Sequence, residues 1–548
     1  MTQTQQYIST IEDGITPYIL RLDNLLSAFS TTPREDHAPL IDEYNDIDAD
    51  VGTLLLMAEN ASSKPFNNCH YDWSPKLKAA ALDLKYLRLQ MRKHPHDHSW
   101  KTRHNQQVKH LKALKAQSRD LRYQFLIDRL QSSKPAIINR IIQAEQNRRQ
   151  FKRVQSLFTN RHQPLTRILY NDNDATSDPS QMETLLIQRN QSHLGQAHLT
   201  PFTTPPSSSY ISGTHQQWTS VLTDAIPDSL PQDSRTIISE LQSIATNNTQ
   251  SIPTPPITIK EFERTIVDTP ERTSSSPSGR HLGHYKAALQ SPNLLHLLCQ
   301  LTSLPFQFGF TPPRWTTSID TMLEKSPGNP HITKLRIIQL IEADFNIGLK
   351  IVWARRLKPT LASDTQLHPA QHGCRPFRST IAPTLNKIIT YDIQRTANAP
   401  GLYMENDASA AFDRIIPSLG TLTSYAFGVP FMACQCLLNT ALHLKHYIRT
   451  GYGISNAWYL SNVDKPLYGC GQGSGASPII WLFTINTILS AVSRLHSAGT
   501  TITNPDSSIK AHRTFDAFVD DTGISATTSP PPDCDPPAPH LHRNYSLP

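Results

Sequence analysis

Cysteine is scarce, and its spacing carries no pattern. The seven cysteines (Cys69, Cys299, Cys374, Cys434, Cys436, Cys470 and Cys534) are an odd, scattered set. They form neither a disulfide framework nor a zinc ribbon, and a reducing, intracellular compartment fits them. No apolar run reaches the roughly 20 residues of a membrane span, so no membrane partner is expected. The start, Met1-Thr2-Gln3-Thr4-Gln5, is polar, and a secretory leader is not expected. No internal repeat is evident. Net charge is modest: 52 Lys and Arg against 45 Asp and Glu give +7 and a pI near 8.9. That balance permits a polyanionic partner without diagnosing one. What the chain does have is length and proline. Its 548 residues can bury a large core and hold two or three domains. Its 42 prolines exceed the usual ~5 per cent and concentrate in connectors and the tail.

Helical period is clear in the front of the chain. One helix starts at Ser74-Pro75 and puts Leu77, Ala81, Leu84 and Met91 on one face. A second carries Val108, Leu111, Leu114, Leu121 and Phe125, and a third begins near Ser133-Lys134-Pro135 with Ile137, Ile138 and Ile141. From Arg92 to Arg122 nine basic residues, Lys109, Lys112, Lys115 and Arg119 among them, face only two acids, Asp97 and Asp120. Such a face suits phosphate backbones, and it is equally consistent with plain solvation. His94-Pro95-His96-Asp97-His98 lacks the companion Cys or His pair of a closed zinc site and is expected as a loop. Ser, Thr, Gln, Asn and Pro dominate residues 159–256, expected as a loosely ordered connector with short helices, one near Ser234 to Ala245. The expected divisions are a helical region over 1–158, this connector, a globular region over 257–528 and a proline-rich tail over 529–548.

The chemistry lies in two stretches about a hundred residues apart. Leu402-Tyr403-Met404 predicts a short buried strand ending near Asp407, after Pro400-Gly401. Phe515, Ala517 and Val519 alternate with polar or differently facing residues, and Ile524 and Ala526 resume beyond Gly523. That pattern predicts strand, tight turn, strand, with Asp520-Asp521 at the tip. Carboxylates at strand ends are what metal-dependent phosphoryl transfer needs, as hard oxygen ligands for two Mg²⁺ ions ~4 Å apart. Between them, Gly469 to Pro478 is a glycine-rich loop running into an apolar helix, with Ser477 expected as N-cap and Pro478 at the first helical position.

Taken in order, these residues resemble the reverse transcriptases of non-LTR (LINE-type) retrotransposons, over about Thr273 to Thr528. Ser275 to Lys286 resembles the leading block. Leu323 to Gly328 and Lys334 to Leu340 resemble the fingers strands, with Lys350 and Arg355-Arg356-Leu357 following. Gln371-His372-Gly373-Cys374-Arg375-Pro376-Phe377-Arg378-Ser379-Thr380 resembles the family's Q-x-G-F-R-P-x-R-S-T segment. Asp407 to Asp413 resembles D-x-x-x-A-F-D, Gln472-Gly473-Ser474 resembles Q-G-S, and Phe518-Val519-Asp520-Asp521 resembles the F-V-D-D box. The resemblance implies an α+β right-hand polymerase, fingers and palm with a ferredoxin-like antiparallel palm sheet, preceded by a helical region. It implies RNA-directed DNA synthesis with an RNA template, a DNA primer, dNTPs and two Mg²⁺ ions, Mn²⁺ being a substitute, and a nuclear setting. Asp407 and Asp520 would hold the ions, with Asp521 as the third acid. Lys325, Lys334 and Arg336 would neutralise the triphosphate. Phe412 would exclude a 2′-hydroxyl, or simply pack in the core. Gln472 and Gly473 would lie at the incoming base or template, and Arg375 and Arg378 would hold the template backbone or form buried ion pairs.

Ala410, Gly475 and Cys374 depart from the family's usual residues but leave the carboxylates intact. Past Asp521 the family's further palm, thumb and later segments are not recognised, so a truncated or decayed copy is one expectation. A relic that only binds nucleic acid, an RNA-templated RNA polymerase or maturase-like protein, and an interaction protein that kept the fold stay open as alternatives.

Overall fold

The computed structural model describes residues 3–62, 74–93, 97–131, 138, 165–171, 174–213, 215–246, 255–270, 276–326, 328–363, 365–396, 401–495, 499–503, 508 and 510–527. It is a mixed α and β structure of two compact units, one of Met1–Ser63 with Pro164–Pro548 and one of Lys64–Gln163. No helix among the described residues is long and apolar enough to cross a membrane. Helices α1 (Gln3–Thr31) and α2 (Ala38–Ser62) open the larger unit, and α3 (Pro75–Lys93), α4 (His98–Ala116) and α5 (Ser118–Gln131) build the smaller.

In the smaller unit Leu77, Ala80 and Leu84 of α3 meet Leu111 of α4, flanked by Ala81, Val108, Leu114 and Leu121. This apolar stripe is the one the sequence period marks. The second expected helix is broken at Gln117, which caps α4. Asp97 accepts the Ser99 N–H (2.9 Å) and starts α4. Lys109, Lys112 and Lys115 are exposed. The Arg119 side chain, the His94–His96 turn, the third expected helix and the 529–548 tail lie outside the described residues.

In the larger unit Tyr44, Ile47, Val51 and Leu55 recur at helical spacing on α2 and share one core with Ile11, Ile15 and Leu22 of α1. The stretch expected as a loosely ordered connector with short helices holds the helix expected near Ser234 to Ala245, and its helices pack into the cores. Asp178 caps α6 (Pro179–Leu194), whose Met182, Leu186 and Leu194 fill a second core. Trp218, and Ile238 and Leu241 of α7 (Gln232–Thr246), join the main core. The apolar residues are few but correctly spaced, and the polar ones between them mask the pattern in bulk composition.

Helices α8 (Leu282–Ala288) and α9 (Pro292–Phe308) lead into a four-stranded sheet. Its strands are β1 (Thr317–Glu324), β2 (Leu335–Leu340), β4 (Lys445–Thr450) and β5 (Gly453–Tyr459), in the order β2-β1-β4-β5, with only β1 and β4 parallel. Between β2 and β4 come α10 (Ala343–Leu349), which runs into a π-helical turn over Lys350–Arg355, then α11 (Ile381–Thr396) and β3 (Gly401–Asp407). The buried helix α12 (Ser477–Leu495) precedes β6 (Phe515–Phe518) and β7 (Asp521–Thr527). These two and β3 form a separate antiparallel sheet, β6-β7-β3.

A buried ionic cluster ties the larger unit's front to its sheets. The Arg314 guanidinium reaches Asp48 of α2 (3.0 Å), Glu342 (2.8 Å) and Asp344 (2.6 Å), and Arg280 reaches Asp48 (2.6 Å). Burial pushes the Asp48 carboxyl up, but the two guanidiniums outweigh it and hold it down at about 2. Burial raises the third acid, Glu342, above its usual value. Removing Arg314 strands the buried Glu342 and Asp344 carboxylates and leaves Asp48 with Arg280 alone, a loss of ~3–5 kcal/mol for a broken buried pair. Arg314→Met should therefore lower the urea-unfolding free energy by about that much, and a change under ~1 kcal/mol would show the cluster to be incidental.

Candidate active site

Backbone pairing brings the two aspartate stretches together. Asp407, the last residue of β3, stands opposite Asp521, the first of β7, and the Ala408 N–H donates to the Asp520 carbonyl (3.1 Å). Phe518 pairs with Asp521, so the two-residue turn is Val519-Asp520, one residue earlier than the expected Asp520-Asp521 tip, and Asp521 already belongs to β7. Val519 holds φ +58°, a region that a β-branched residue enters only under strain. Three contacts hold it there. The Trp481 indole N–H donates to the Val519 carbonyl (2.7 Å). The 370–373 segment lies along β6, with the Ala517 N–H donating to the Ala370 carbonyl (2.9 Å) and the His372 N–H to the Ala517 carbonyl (2.8 Å). Gly373 then touches Val519 so closely that a β-carbon on it would sit 2.2 Å from the Val519 nitrogen. The strained turn is the one that carries Asp520.

A cleft of ≈ 560 Å³ opens on this turn. Among its lining residues are Asp407, Asp520, Phe412, Gln472, Gly473, Arg336 and Lys325, brought from five separate segments. Lys334 is exposed on the turn before β2 and is not part of the lining. Arg336 stands on β2, paired with Leu323 of β1, and its side chain is exposed. Among the described residues neither Arg336 nor the carboxylates of Asp407, Asp520 and Asp521 has an ion-pair partner. The cleft thus holds unneutralised charge of both signs, cations at the end of the β1–β2 pair and carboxylates at the other sheet. The donor set, two exposed or half-exposed carboxylates, fits a hard divalent cation. Asp521 is exposed but outside the lining, and the three carboxylates do not gather into a cluster as tight as the one that Glu59, His281 and His284 form elsewhere.

The glycine loop is shaped by protein rather than by a ligand. The Gln339 N–H donates to the Gln472 carbonyl (2.7 Å), and a β-carbon on Gly473 would lie 2.4 Å from the Gln339 carbonyl oxygen. Asn346 clamps the loop by donating to the Gly473 carbonyl (3.1 Å) and accepting the Gly475 N–H (2.6 Å). Ser477 does not cap α12 as expected. It is the helix's first residue, and its hydroxyl donates to the Gly471 carbonyl (2.7 Å), which closes the loop on itself. Phe412 serves in two ways: half-buried, with its ring 6.3 Å from that of Trp481, it also lines the cleft.

Two further expectations need correction. Arg375 is buried, and its guanidinium donates to the carbonyls of Leu361, Ser363, His368 and Gln371 at 3.0–3.4 Å. It fixes the loop around Gly373, and its buried side chain leaves no free face for a template. Arg378 is half-buried. The strand around Leu402 and Met404 is exposed (62 and 54%), because these side chains point to the sheet face opposite the one where Tyr403 and Glu405 meet Tyr391 and Lys387 of α11.

His193 and Asp413 are cleft residues that sequence reasoning missed. His193 of α6 meets the buried Asp413 at 3.0 Å, beneath the Phe412 turn. Asp413 stands inside a recognisable block, but nothing local marks a histidine 220 positions away as its partner. Burial and the nearby Asp520 charge raise the Cys374 thiol, and burial pushes Cys470 up to about 12, so neither sulfur is a nucleophile at neutral pH. No known protein-family model matches the chain, and no curated protein matches it.

Proposed function

We propose that this chain is an RNA-directed DNA polymerase of the non-LTR retrotransposon type, which adds dNTPs to a primer 3′-hydroxyl along an RNA template. The observation that carries the reading is the single cleft in which Lys325, Arg336, Asp407, Phe412, Gln472, Gly473 and Asp520 converge. On this reading the β6-β7-β3 sheet corresponds to the palm and the β1–β2 pair to the fingers. Asp407 and Asp520 hold Mg²⁺, or Mn²⁺ in its place, with Asp521 alongside. When bound, the ions activate the 3′-hydroxyl and offset the charge of the triphosphate and departing pyrophosphate.

The other roles belong to the chain's own groups. Arg336 offers a planar fork of donors to phosphate oxygens, and Lys325 adds a point charge at the same wall. Phe412, its ring 6.3 Å from that of Trp481, lines the cleft and would meet a ribose 2′-hydroxyl there. Asp413 and His193 brace the turn that carries it. Gln472, its backbone fixed to β2, keeps a side-chain amide at the cleft for the template–nucleotide pair. Lys109, Lys112 and Lys115 on α4 give the smaller unit an exposed basic face for nucleic-acid backbone, read without sequence.

Sugar selection tests the reading. The chain should insert dNTPs over rNTPs by at least ~10²-fold in kcat/KM. Phe412→Val, which opens the wall, should cut that preference at least ~10-fold, about 1.4 kcal/mol of steric discrimination. Steady-state primer extension on an RNA template measures both. An rNTP preference in the unaltered chain would instead favour an RNA polymerase.

A further inference from the structure

Far from the cleft in sequence, α2 and α8 bring together three side chains with metal-ligating atoms. Glu59 is near the end of α2. His281 is the N-cap of α8, and His284 lies three residues on. One ligand atom from each lies within 4.8 Å of the others. His281 Nε2 is 2.8 Å from one Glu59 carboxylate oxygen, and His284 Nε2 is 3.4 Å from the other. The two rings are 4.5 Å apart, centroid to centroid.

His284 shows that this group is more than a surface ion pair. It is 2% exposed, and its Nε2 has no hydrogen-bond partner. Its Nδ1 lies 2.7 Å from the Tyr7 hydroxyl. With the proton on Nδ1 and given to Tyr7, a buried lone pair on Nε2 faces the Glu59 carboxylate, two acceptors turned toward each other. A cation between them satisfies both, and a histidine ligand oriented by a hydrogen bond at its other nitrogen is the usual outer arrangement of such sites. Ligand atoms about 2.0–2.2 Å from a tetrahedral ion stand roughly 3.3 Å from one another, close to the separations here. Glu59 and His281 are more than a third exposed, which leaves an entrance from solvent and a fourth position for water.

We propose that Glu59, His281 and His284 bind one borderline divalent transition-metal ion, of which Zn²⁺ is the representative, and that the ion staples α2 to α8. Imidazole nitrogens suit Zn²⁺ and do not suit Mg²⁺, so this site is separate from the cleft carboxylates and independent of the polymerase reading. Occupation costs one hydrogen bond: His281 Nδ1 accepts the Gly283 N–H (3.0 Å), and coordination through Nε2 moves a proton onto that nitrogen. The adjoining Arg280–Asp48 pair already fixes the same two elements, so the staple adds to an existing joint.

The test uses the full chain without an oligohistidine tag, stripped with chelator and reloaded with Zn²⁺ or Co²⁺ alone. The expected result is one ion per chain by mass spectrometry, visible d–d absorption with Co²⁺, and a raised Tm. The same result is expected from a chain with His94, His96 and His98 changed to alanine, which removes the other histidine tract. Glu59→Gln, at a half-exposed position where folding is not at risk, should weaken binding by at least about 10²-fold, since even outer-shell partners are worth 10–100-fold. His284→Gln should do the same. No uptake by the folded chain, uptake that follows the His94–His98 tract, or full affinity in Glu59→Gln would overturn the proposal.

Discussion

Primer extension by the Asp407→Asn chain should fall by at least ~10³-fold, with fold and any RNA affinity unchanged. The substitution keeps the shape of the side chain and removes one negative oxygen donor at the end of β3. Stabilising the charge that builds during phosphoryl transfer is worth several kcal/mol per cation, and each 1.36 kcal/mol is a factor of ten. Asp407 is exposed and has no ion-pair partner among the described residues, so its neutralisation strands no other charge. Stability should therefore hold within ~0.5 kcal/mol. Circular dichroism and RNA binding, measured beside extension, separate this outcome from unfolding. Extension within tenfold of the unaltered chain would remove Asp407 from the catalytic set.

Gly373→Ala should lower extension by about 10²-fold although residue 373 does not line the cleft. Its new β-carbon would sit 2.2 Å from the Val519 nitrogen and 2.8 Å from Val519 Cγ2. Backbone must give way, because neither contact is the far end of a flexible side chain. What yields is the strained Val519–Asp520 turn, and a displacement near 1 Å at a reacting group costs about 10²-fold. The loop beneath cannot retreat easily, since Arg375 ties it to four carbonyls. The signature is a fall in kcat with little change in KM for dNTP, because Arg336 and Lys325 stand on the other sheet. A normal kcat would show that the turn is held by other contacts.

The hairpin was legible because strand alternation is local: Phe515, Ala517 and the resumption at Ile524 announce it, and its register follows from the two-residue turn. The convergence of Asp407 with that turn was legible only through the order of the blocks, since pairing across more than a hundred residues leaves no local trace. Glycine carried real information, but not the kind its motif suggests. Gly473 and Gly373 are small because backbone of the same chain approaches them. Other features could not be read at all. The His193–Asp413 contact and the Asp48–Arg314 cluster join residues 220 and 266 positions apart. The exposure of Leu402 and Met404 depends on which face of the sheet α11 covers, which composition does not encode. In residues 179–246 the helix near Ser234 to Ala245 was legible, but the packing of the stretch was not, because sparse, well-spaced apolar residues were outvoted by the polar ones around them.

The most direct test of the central claim, that the cleft's carboxylates run template-directed DNA synthesis, is incorporation of dTTP on poly(rA)/oligo(dT) with Mg²⁺, comparing the chain with its Asp520→Asn variant. Incorporation that disappears in the variant is the predicted result. No incorporation by a folded chain that binds the hybrid, or equal incorporation by both proteins, would contradict it.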